Sequence, residues 1–372
     1  MRDLKDIRLD IDKVDRELKN LFLQRMECVE QVREYKAATN TPVKNKSREA
    51  DIIKSKLDGV EKYVGETKEF FKSMIEISCN YQDRNLSELT YKKTFDDVDD
   101  DNFYKSISTV CHQGMVGSYS YEVAEKYFSD KKIISVETFK DVFDNVSNGT
   151  CDIGVLPLEN LCQGSVSDVF DLLNEYDVTI THNVDLPVKH CIAGVGSIDD
   201  VTSVISHPQA LGQCSKYIQS NGFSKMEAIN TAVAAKKVYE DNDKTQAAIC
   251  SPVAAKKMGL SIFDESIANI KNNKTRFIFI SKKPLKINGA DKVSIVFTIP
   301  HQSGTLSRVL NNFANNDINM SKIESRPSND DEWKYIFYID VDLPEFDVVE
   351  YFSKIRYMFD DFKILGIHKT LE

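Results

Sequence analysis

The chain has few of the features that mark membrane, exported or metal-binding proteins. No apolar run among its 372 residues approaches the roughly 20 residues that a membrane-spanning helix needs. The first residues are charged and lead into an amphipathic stretch, which argues against a secretory signal. The 8 cysteines include no CxxC pair, and the 6 histidines have no metal-ligand spacing. We therefore expect free thiols, a cytoplasmic location and no metal site.

The charge balance excludes two classes of partner. With a formal net charge of −10, the chain has no general attraction for nucleic acid or for an anionic membrane. An anionic substrate would have to be captured by a local pocket. The composition, 41% hydrophobic and 28% charged, is that of a globular protein, and the length suggests two or three domains.

Changes in composition along the chain predict three domains. Residues 1–90 are charged and have helical periodicity, with breaks at about 39–43 and before 65. We interpret the acidic residues 91–105 as a solvated linker. Residues 106–283 alternate β-rich runs with helical patterns, which predicts a two-lobed α/β domain with largely parallel sheets. Residues 292–372 follow a βαββαβ order, typical of an α+β ferredoxin-like fold.

Two basic residues interrupt the apolar seam of the first predicted helix. Apolar residues recur with helical spacing at Ile7, Ile11, Val14, Leu18, Leu21, Val29 and Val32. Arg25 and Lys36 continue this seam and are 11 residues apart, close to three helical turns, so they share a face. Cations directed into a helix bundle are costly unless an anion meets them, which points to a small carboxylate. The alternative is that both side chains extend past the seam into water.

Further polar residues fall in register with this pair. Arg48 and Glu49 open the second helix, while Ser78 and Gln82 share a face of the third. Arg8 lies about a quarter-turn away from the Arg25–Lys36 face, which indicates a second pocket in a partner chain of a helical dimer. Together these seven positions resemble the all-helical chorismate mutase class.

That resemblance implies rearrangement of chorismate to prephenate. The reaction needs no cofactor. It requires the substrate to be held in its compact conformer and donors at the ether oxygen, where negative charge develops. The resemblance implies that Lys36 and Gln82 supply those donors. Arg25 and the Arg8 of a second subunit would bind the carboxylates, and Glu49 the hydroxyl. Arg48 and Ser78 would support them.

Five segments of the second domain carry glycines, hydroxyls or amides in loops: the first four stand at the starts of predicted helices, and the last precedes a strand-like run. They are GMVGSYS (114–120), PLENLCQGSV (157–166), HPQALGQC (207–214), NTAVAA (230–235) and NKTRF (273–277). Backbone N–H groups at such helix starts can hold a carboxylate, and Thr231 is a candidate helix cap. In this order, the segments resemble prephenate dehydratase.

This second resemblance implies two lobes similar to those of periplasmic binding proteins, with prephenate in the cleft. Prephenate would lose carbon dioxide and its ring hydroxyl to give phenylpyruvate. Thr275 would donate a hydrogen bond or relay a proton to the leaving hydroxyl. Arg276 would bind a carboxylate or else pair with Glu159, and His207 could be an acid or a structural residue. The other expected substrate contacts are Glu159, Asn160, Ser118, Ser120, Gln209, Gln213 and Thr231.

The third domain contains two segments that resemble the ACT amino-acid-binding domain. They are SGTLSRVL (303–310) and ESRP (324–327), and they imply a phenylalanine site. The implied regulatory residues are Gly304, Thr305, Leu306, Glu324, Ser325, Arg326 and Pro327. A dimerising domain without ligand is the alternative.

The whole chain is thus expected to be a bifunctional enzyme of phenylalanine biosynthesis that takes chorismate to phenylpyruvate under phenylalanine feedback. We expect a homodimer or homotetramer. Two alternatives remain: a dehydratase whose helical domain only dimerises, and an amino-acid sensor without catalysis.

Overall fold

A computed structural model describes residues 2–39, 41–43, 45–83, 93–328 and 334–371. The chain forms two compact units. The first comprises residues 1–92 and 347–359, and the second comprises 93–346 and 360–372. Within the described residues, no helix combines the length and the apolarity needed to cross a membrane.

The N-terminal part of the first unit is helical, as its periodicity predicts. Its helices are α1 (Leu4–Thr39), α2 (Lys46–Leu57) and α3 (Val64–Asp83). Asn45 caps α2, because its side-chain oxygen accepts a hydrogen bond from the backbone N–H of Arg48. Val29 is buried, whereas most of the predicted seam of α1, including Ile11 and Leu18, is exposed in the single chain. The predicted third helix extends to 89, and its last residues lie outside the described ones.

The acidic run predicted as a linker is instead ordered structure. It forms β1 (Asp96–Val98) and α4 (Asp100–Ser106), and β1 pairs in parallel with residues 285–287. Asp99 accepts the backbone N–H of Asn102 as the cap of α4, and the acidic residues of the first turn complement the helix dipole. Phe103 anchors the helix, being only 1% exposed. The acidic run is therefore a short strand followed by the start of a helix.

A first lobe of the second unit follows. Its elements are β2 (Thr109–Gln113), α5 (Tyr119–Phe128), β3 (Lys132–Val136), α6 (Phe139–Asn148), β4 (Ile153–Asn160), β5 (Gly164–Ser165), α7 (Ser167–Glu175) and β6 (Thr179–Pro187). The chain then crosses to a second lobe with β7 (Cys191–Gly194), β8 (Ser203–Ser206), α8 (Pro208–Gln213), α9 (Ser215–Ser220), β9 (Ser224–Glu227), α10 (Thr231–Asp241), β10 (Gln246–Cys250), α11 (Pro252–Met258) and β11 (Ser261–Glu265). It returns to the first lobe as β12 (Lys274–Ser281), which β13 (Leu285–Ile287) follows.

Both lobes contain mixed sheets, which corrects the prediction of largely parallel ones. In the first lobe β2 runs parallel to β3 and β4, but β12 is antiparallel to β4 and β6. In the second lobe β8 is parallel to β9 and β10, and β7 is antiparallel to β10 and β11. The antiparallel strands adjoin the two crossings between lobes. Each sheet has buried apolar clusters, rich in Phe, Ile and Val in the first lobe and in Ala and Ile in the second.

The C-terminal strands extend the first sheet. They are β14 (Lys292–Thr298), β15 (Met320–Pro327), β16 (Tyr335–Asp342) and β17 (Asp361–Leu371). The helix α12 (Thr305–Ala314) follows β14 in the chain, and α13 (Val348–Ile355) falls within the first unit. The strands lie in the order β15-β16-β14-β17, and the end of β17 pairs in parallel with β6. Gly366 permits this junction, because a Cβ atom there would collide with the carbonyl oxygen of Ile180.

Candidate active sites

A cavity of about 370 Å³ in the second unit brings together most of the polar residues predicted from its motifs. The strands β4 and β12 contribute their cleft ends, and α5, α8 and α10 contribute their first turns. Eight predicted residues line this cavity, namely Ser118, Ser120, Asn160, His207, Gln209, Gln213, Thr231 and Thr275. Apolar residues such as Phe139, Pro157 and Phe277 complete the wall. The cavity thus combines polar groups with a surface suited to a ring.

None of the described residues that line this cavity is a Lys, Arg, Asp or Glu. An anion bound there would be held by neutral donors and by the first turns of helices, which carry partial positive charge. Ser118 caps α5 by accepting the N–H of Tyr121 at 3.2 Å. Asn230, and not the predicted Thr231, caps α10 by accepting the N–H of Val233 at 2.8 Å. Thr231 is the first residue inside that helix, because the capping residue precedes the first helical turn.

The pairing of β4 with β12 places Thr275 opposite Asn160. The side-chain oxygen of Asn160 accepts the backbone N–H of Cys162 at 3.0 Å, which directs its amide N–H group toward Thr275. That amide donates to the Thr275 hydroxyl oxygen at 2.8 Å. Because the Thr275 oxygen is the acceptor of this bond, its own proton is left to be donated elsewhere. Thr275 can therefore act as a hydrogen-bond donor in the cavity.

Glu159 and Arg276 do not line the cavity. Side chains alternate along a strand, so the residues beside Asn160 and Thr275 face the other way. Glu159 forms an ion pair with Lys322 at 2.8 Å, and Arg276 pairs with Asp185 at 3.0 Å. The structure thus does not form the anticipated Glu159–Arg276 pair. His207 lies at the cavity and also caps α8, since its Nδ1 atom accepts the N–H of Gln209 at 3.3 Å.

In the first unit, α1 and α3 bring together a second group of predicted residues. The Arg25 guanidinium donates to the Ser78 hydroxyl and, at 3.3 Å, to the carbonyl oxygen of Met74. Ser78 and Gln82 are only 4% and 5% exposed. The amide nitrogen of Gln82 donates to the Ser78 carbonyl at 3.1 Å, while its Oε1 atom is buried and has no hydrogen-bond partner among the described residues. A buried amide with unused hydrogen-bonding capacity is costly unless a ligand satisfies it.

The other predicted residues of this unit lie around the same helices. Lys36 is half-buried, and its Nζ atom donates to the Val43 carbonyl at 2.6 Å. Glu49 is half-buried in the first turn of α2, and Arg48 beside it is exposed. Arg8 is exposed near the start of α1.

The predicted regulatory residues are divided between two places. Gly304, Thr305 and Leu306 line a cavity of about 250 Å³ at the start of α12, where Gly304 has a left-handed backbone (φ 85°). Glu324 and Arg326 do not line it, because they contact the first lobe: Glu324 accepts the Ser165 hydroxyl at 3.0 Å, and Arg326 binds both Asp171 oxygens at 2.8 and 2.9 Å. Ser325 and Pro327 are on the exposed face of β15.

Comparison with known proteins matches both units. The family model of chorismate mutase type II matches residues 7–83, and that of prephenate dehydratase matches residues 110–285. A bifunctional chorismate mutase/prephenate dehydratase of Buchnera aphidicola is 30% identical, over 99% of this chain and 97% of its own length. The chain belongs to the bifunctional chorismate mutase/prephenate dehydratase family.

Two further relatives concern the dehydratase domain. A prephenate dehydratase of Methanocaldococcus jannaschii is 41% identical over 60% of this chain and 84% of its own. A crystal structure of prephenate dehydratase from Arthrobacter aurescens, in complex with L-Phe, shares the fold with a TM-score of 0.64 at 24% identity. It covers 70% of this chain and 89% of that one. The chain is therefore an enzyme with a mutase and a dehydratase domain.

The motifs did not predict several residues that line the dehydratase cavity. They are Gln113, Tyr119, Gln163 and His190. His190 precedes the apolar run of β7, and a lone histidine before a strand gives no signal of its own. Tyr119 lies within the GMVGSYS segment, but its aromatic ring was indistinguishable from a core residue.

Proposed function

We propose that the two reactions are divided between the two groups of residues, with chorismate bound in the mutase domain and prephenate in the dehydratase cavity. Arg25, and Arg8 of the partner subunit, bind the chorismate carboxylates with guanidinium groups. Lys36 and Gln82 donate to the ether oxygen as the C–O bond breaks. Glu49 takes the substrate hydroxyl, with Arg48 and Ser78 in support. Among the described residues, the buried Gln82 amide nitrogen donates to the Ser78 carbonyl alone, so one of its two N–H groups is left for the ether oxygen, which supports this assignment.

In the dehydratase cavity, Thr275 assists the departure of the ring hydroxyl. The electrons of the breaking bond to the ring carboxylate move into the ring, carbon dioxide leaves, and the hydroxyl departs as water after taking up a proton. An alcohol is a weak acid, so Thr275 donates a hydrogen bond or relays that proton. The observation that carries this role is the Asn160–Thr275 hydrogen bond, which frees the Thr275 proton.

The substrate carboxylates are held by neutral groups in this cavity. Serine and threonine hydroxyls, glutamine amides and the first-turn N–H groups of α5 and α10 are the available donors. They include Ser118, Ser120, Gln209, Gln213 and Thr231. Glu159 and Arg276 act through ion pairs outside the cavity.

Residues 292–372 form an ACT domain that binds phenylalanine and lowers dehydratase activity. The L-Phe complex of the Arthrobacter aurescens relative supports this proposal. Gly304, Thr305 and Leu306 surround a cavity large enough for an amino acid, while Glu324 and Arg326 connect the same domain to the dehydratase lobe. Feedback of this kind is a coupling between two sites through a shared equilibrium.

The enzyme is a cytoplasmic homodimer or homotetramer. The exposed apolar residues along α1, which include Leu4, Ile11, Val14, Leu18 and Leu21, favour association with another copy. A partner helix along this stripe would also bring in a second Arg8.

The decisive experiment follows chorismate, prephenate and phenylpyruvate over time, with and without phenylalanine. We expect chorismate to disappear, phenylpyruvate to form and phenylalanine to slow the second step. A dehydratase with a merely dimerising helical domain would consume prephenate but not chorismate. An amino-acid sensor would consume neither.

A further inference from the structure

Three residues of the dehydratase cavity wall form a hydrogen-bonded row that crosses from one lobe to the other. Tyr119 belongs to α5 of the first lobe, His190 to the crossing before β7, and Gln213 to the end of α8 in the second lobe. The His190 Nε2 atom lies 2.8 Å from the Gln213 side-chain oxygen. Its Nδ1 atom lies 3.3 Å from the Tyr119 hydroxyl. Both ring nitrogens are therefore occupied by cavity residues.

Each member of the row is also held by backbone contacts. The Tyr119 hydroxyl donates to the carbonyl oxygen of Lys189 at 2.8 Å. The carbonyl of His190, which is only 3% exposed, accepts the N–H of Ile267 at 3.3 Å. The carbonyl of Gln213 accepts the N–H of Asn269 at 2.7 Å. These backbone contacts hold the His190 ring in one position, in which it can orient the Gln213 side chain.

The partners determine which nitrogen of His190 carries the proton. The Gln213 oxygen needs a donor, so Nε2 holds the proton and Nδ1 is the acceptor; this tautomer is assigned from the network. The one proton of the Tyr119 hydroxyl is then shared, mainly with the Lys189 carbonyl at 2.8 Å and more weakly with Nδ1 at 3.3 Å. Burial raises the pKa of Tyr119 well above its ordinary value, so its hydroxyl keeps its proton. Burial also lowers the pKa of His190, which favours the neutral ring. Because the Gln213 oxygen is bound to the ring, its amide N–H group is turned away from His190.

We propose that His190 is a positioning residue of the dehydratase site, which holds the Gln213 carbonyl so that the Gln213 amide N–H group faces anionic prephenate. The inference rests on the proposed contact between Gln213 and the substrate. An unrestrained glutamine could turn its oxygen toward the anion, which would replace an attraction by a repulsion. The described residues that line this cavity include no Lys or Arg, so binding of an anion depends on how each neutral amide is oriented.

The test compares kcat and KM for prephenate in His190→Leu, Gln213→Ala and the double variant. We expect each single variant to lower kcat/KM by about tenfold, mainly through KM, and the double variant to lose little more than either one. His190→Gln, which places an amide donor near the former Nε2 position, should recover part of the activity. The proposal would be overturned if the fold-losses of kcat/KM in the single variants multiplied in the double variant. It would also be overturned if Gln213→Ala left kcat/KM unchanged.

The matched control is His182→Leu, since His182 is equally buried but lies outside the cavity lining. It should change the thermal stability and leave KM unchanged. If His190→Leu fails to fold, ¹⁵N NMR of the wild-type histidine ring decides the question. A proton on Nε2 is expected, and a proton on Nδ1 alone would contradict the proposal. Turnover of prephenate by the wild-type chain tests the dehydratase function separately.

Discussion

The proposed mutase site and the proposed dehydratase cavity would each take a substrate with two carboxylates, yet their side chains differ in charge. The residues proposed for the first site include the Arg25 guanidinium and the Lys36 ammonium on α1, whereas no charged side chain is among the described residues that line the cavity around Thr275. In the first reaction the charge on the ether oxygen grows as a bond breaks, and a fixed cation, which we propose is Lys36, would stabilise it. In the second reaction a carboxylate must leave as neutral carbon dioxide. A strong cation beside that carboxylate would stabilise the reactant and slow its loss.

The largest expected effect comes from removing a cation in the mutase domain. Lys36→Ala should lower mutase kcat by about a hundred- to a thousandfold, because the charge that forms on the ether oxygen loses its donor. Dehydration of supplied prephenate should be unchanged. Steady-state rates with each substrate measure both effects, and Lys54→Ala, on the exposed surface of α2, is the control. Loss of both activities in a folded variant would show that the sites are not separate.

The matching change in the cavity removes a neutral donor. Thr275→Val should lower dehydratase kcat by about a hundredfold, since it retains the shape but not the hydroxyl. Thr275→Ser keeps the hydroxyl and should retain much of the rate. Mutase activity should be unaffected in both. A Thr275→Val enzyme that dehydrates prephenate at the wild-type rate would refute the role of this hydroxyl.

The two units should also differ in their response to acid. All 6 histidines belong to the second unit, and burial lowers the pKa of His368 to about 4 and that of His182 to about 3. These folded pKa values lie below the ordinary value near 6.5, so the unfolded chain takes up protons first. The stability contribution of His368 is complete above pH 6.5 and is lost as the pH falls toward 4, by up to about 3 kcal/mol.

Hydrogen exchange on the full chain at pH 7 and pH 4.5 can measure this difference. Between pH 7 and pH 4.5, protection of backbone amides from exchange should fall more in residues 93–328 than in residues 2–83. The variant His368→Gln should lose less protection in residues 93–328 than the wild-type chain does. The control is His301→Gln, which alters an exposed histidine and should leave the pH response as it is. Equal loss of protection in both units would contradict the expectation.

The smallest effect concerns salt. Raising the ionic strength screens side-chain charges, so KM for chorismate should rise a few-fold between roughly 0.05 and 0.5 M salt. KM for prephenate should change less, because neutral donors hold that substrate. Sodium chloride and potassium chloride should act alike if screening is the cause. A steeper rise for prephenate than for chorismate would reverse the assignment of charged and neutral sites.

The helices of the mutase domain were predictable because apolar residues recur there with the 3.6-residue period of a helix. The same period predicted that Arg25 and Ser78 lie on facing sides of their helices, and the two side chains are hydrogen-bonded. The prediction of a linker at the acidic run was wrong because acidic residues such as Asp99 are typical both of solvated linkers and of the first turn of a helix. The burial of Phe103, which holds this segment against the domain, distinguishes the two cases. The direction of β12 depends on strands far away in sequence. The strand alternation that directs Arg276 away from the cavity, and the row through His190, depend on three-dimensional neighbours that no local pattern records.

The pairing of β17 with β6 has a consequence for synthesis on the ribosome. Lys369 lies opposite His182, so one side of β6 remains uncovered until nearly two hundred further residues have emerged. Until then, the nascent dehydratase domain presents an open strand edge next to its own apolar core. Such edges attract other chains, and contacts of long sequence separation form slowly. The rate of elongation between β6 and β17 therefore sets how long each new molecule is exposed to aggregation.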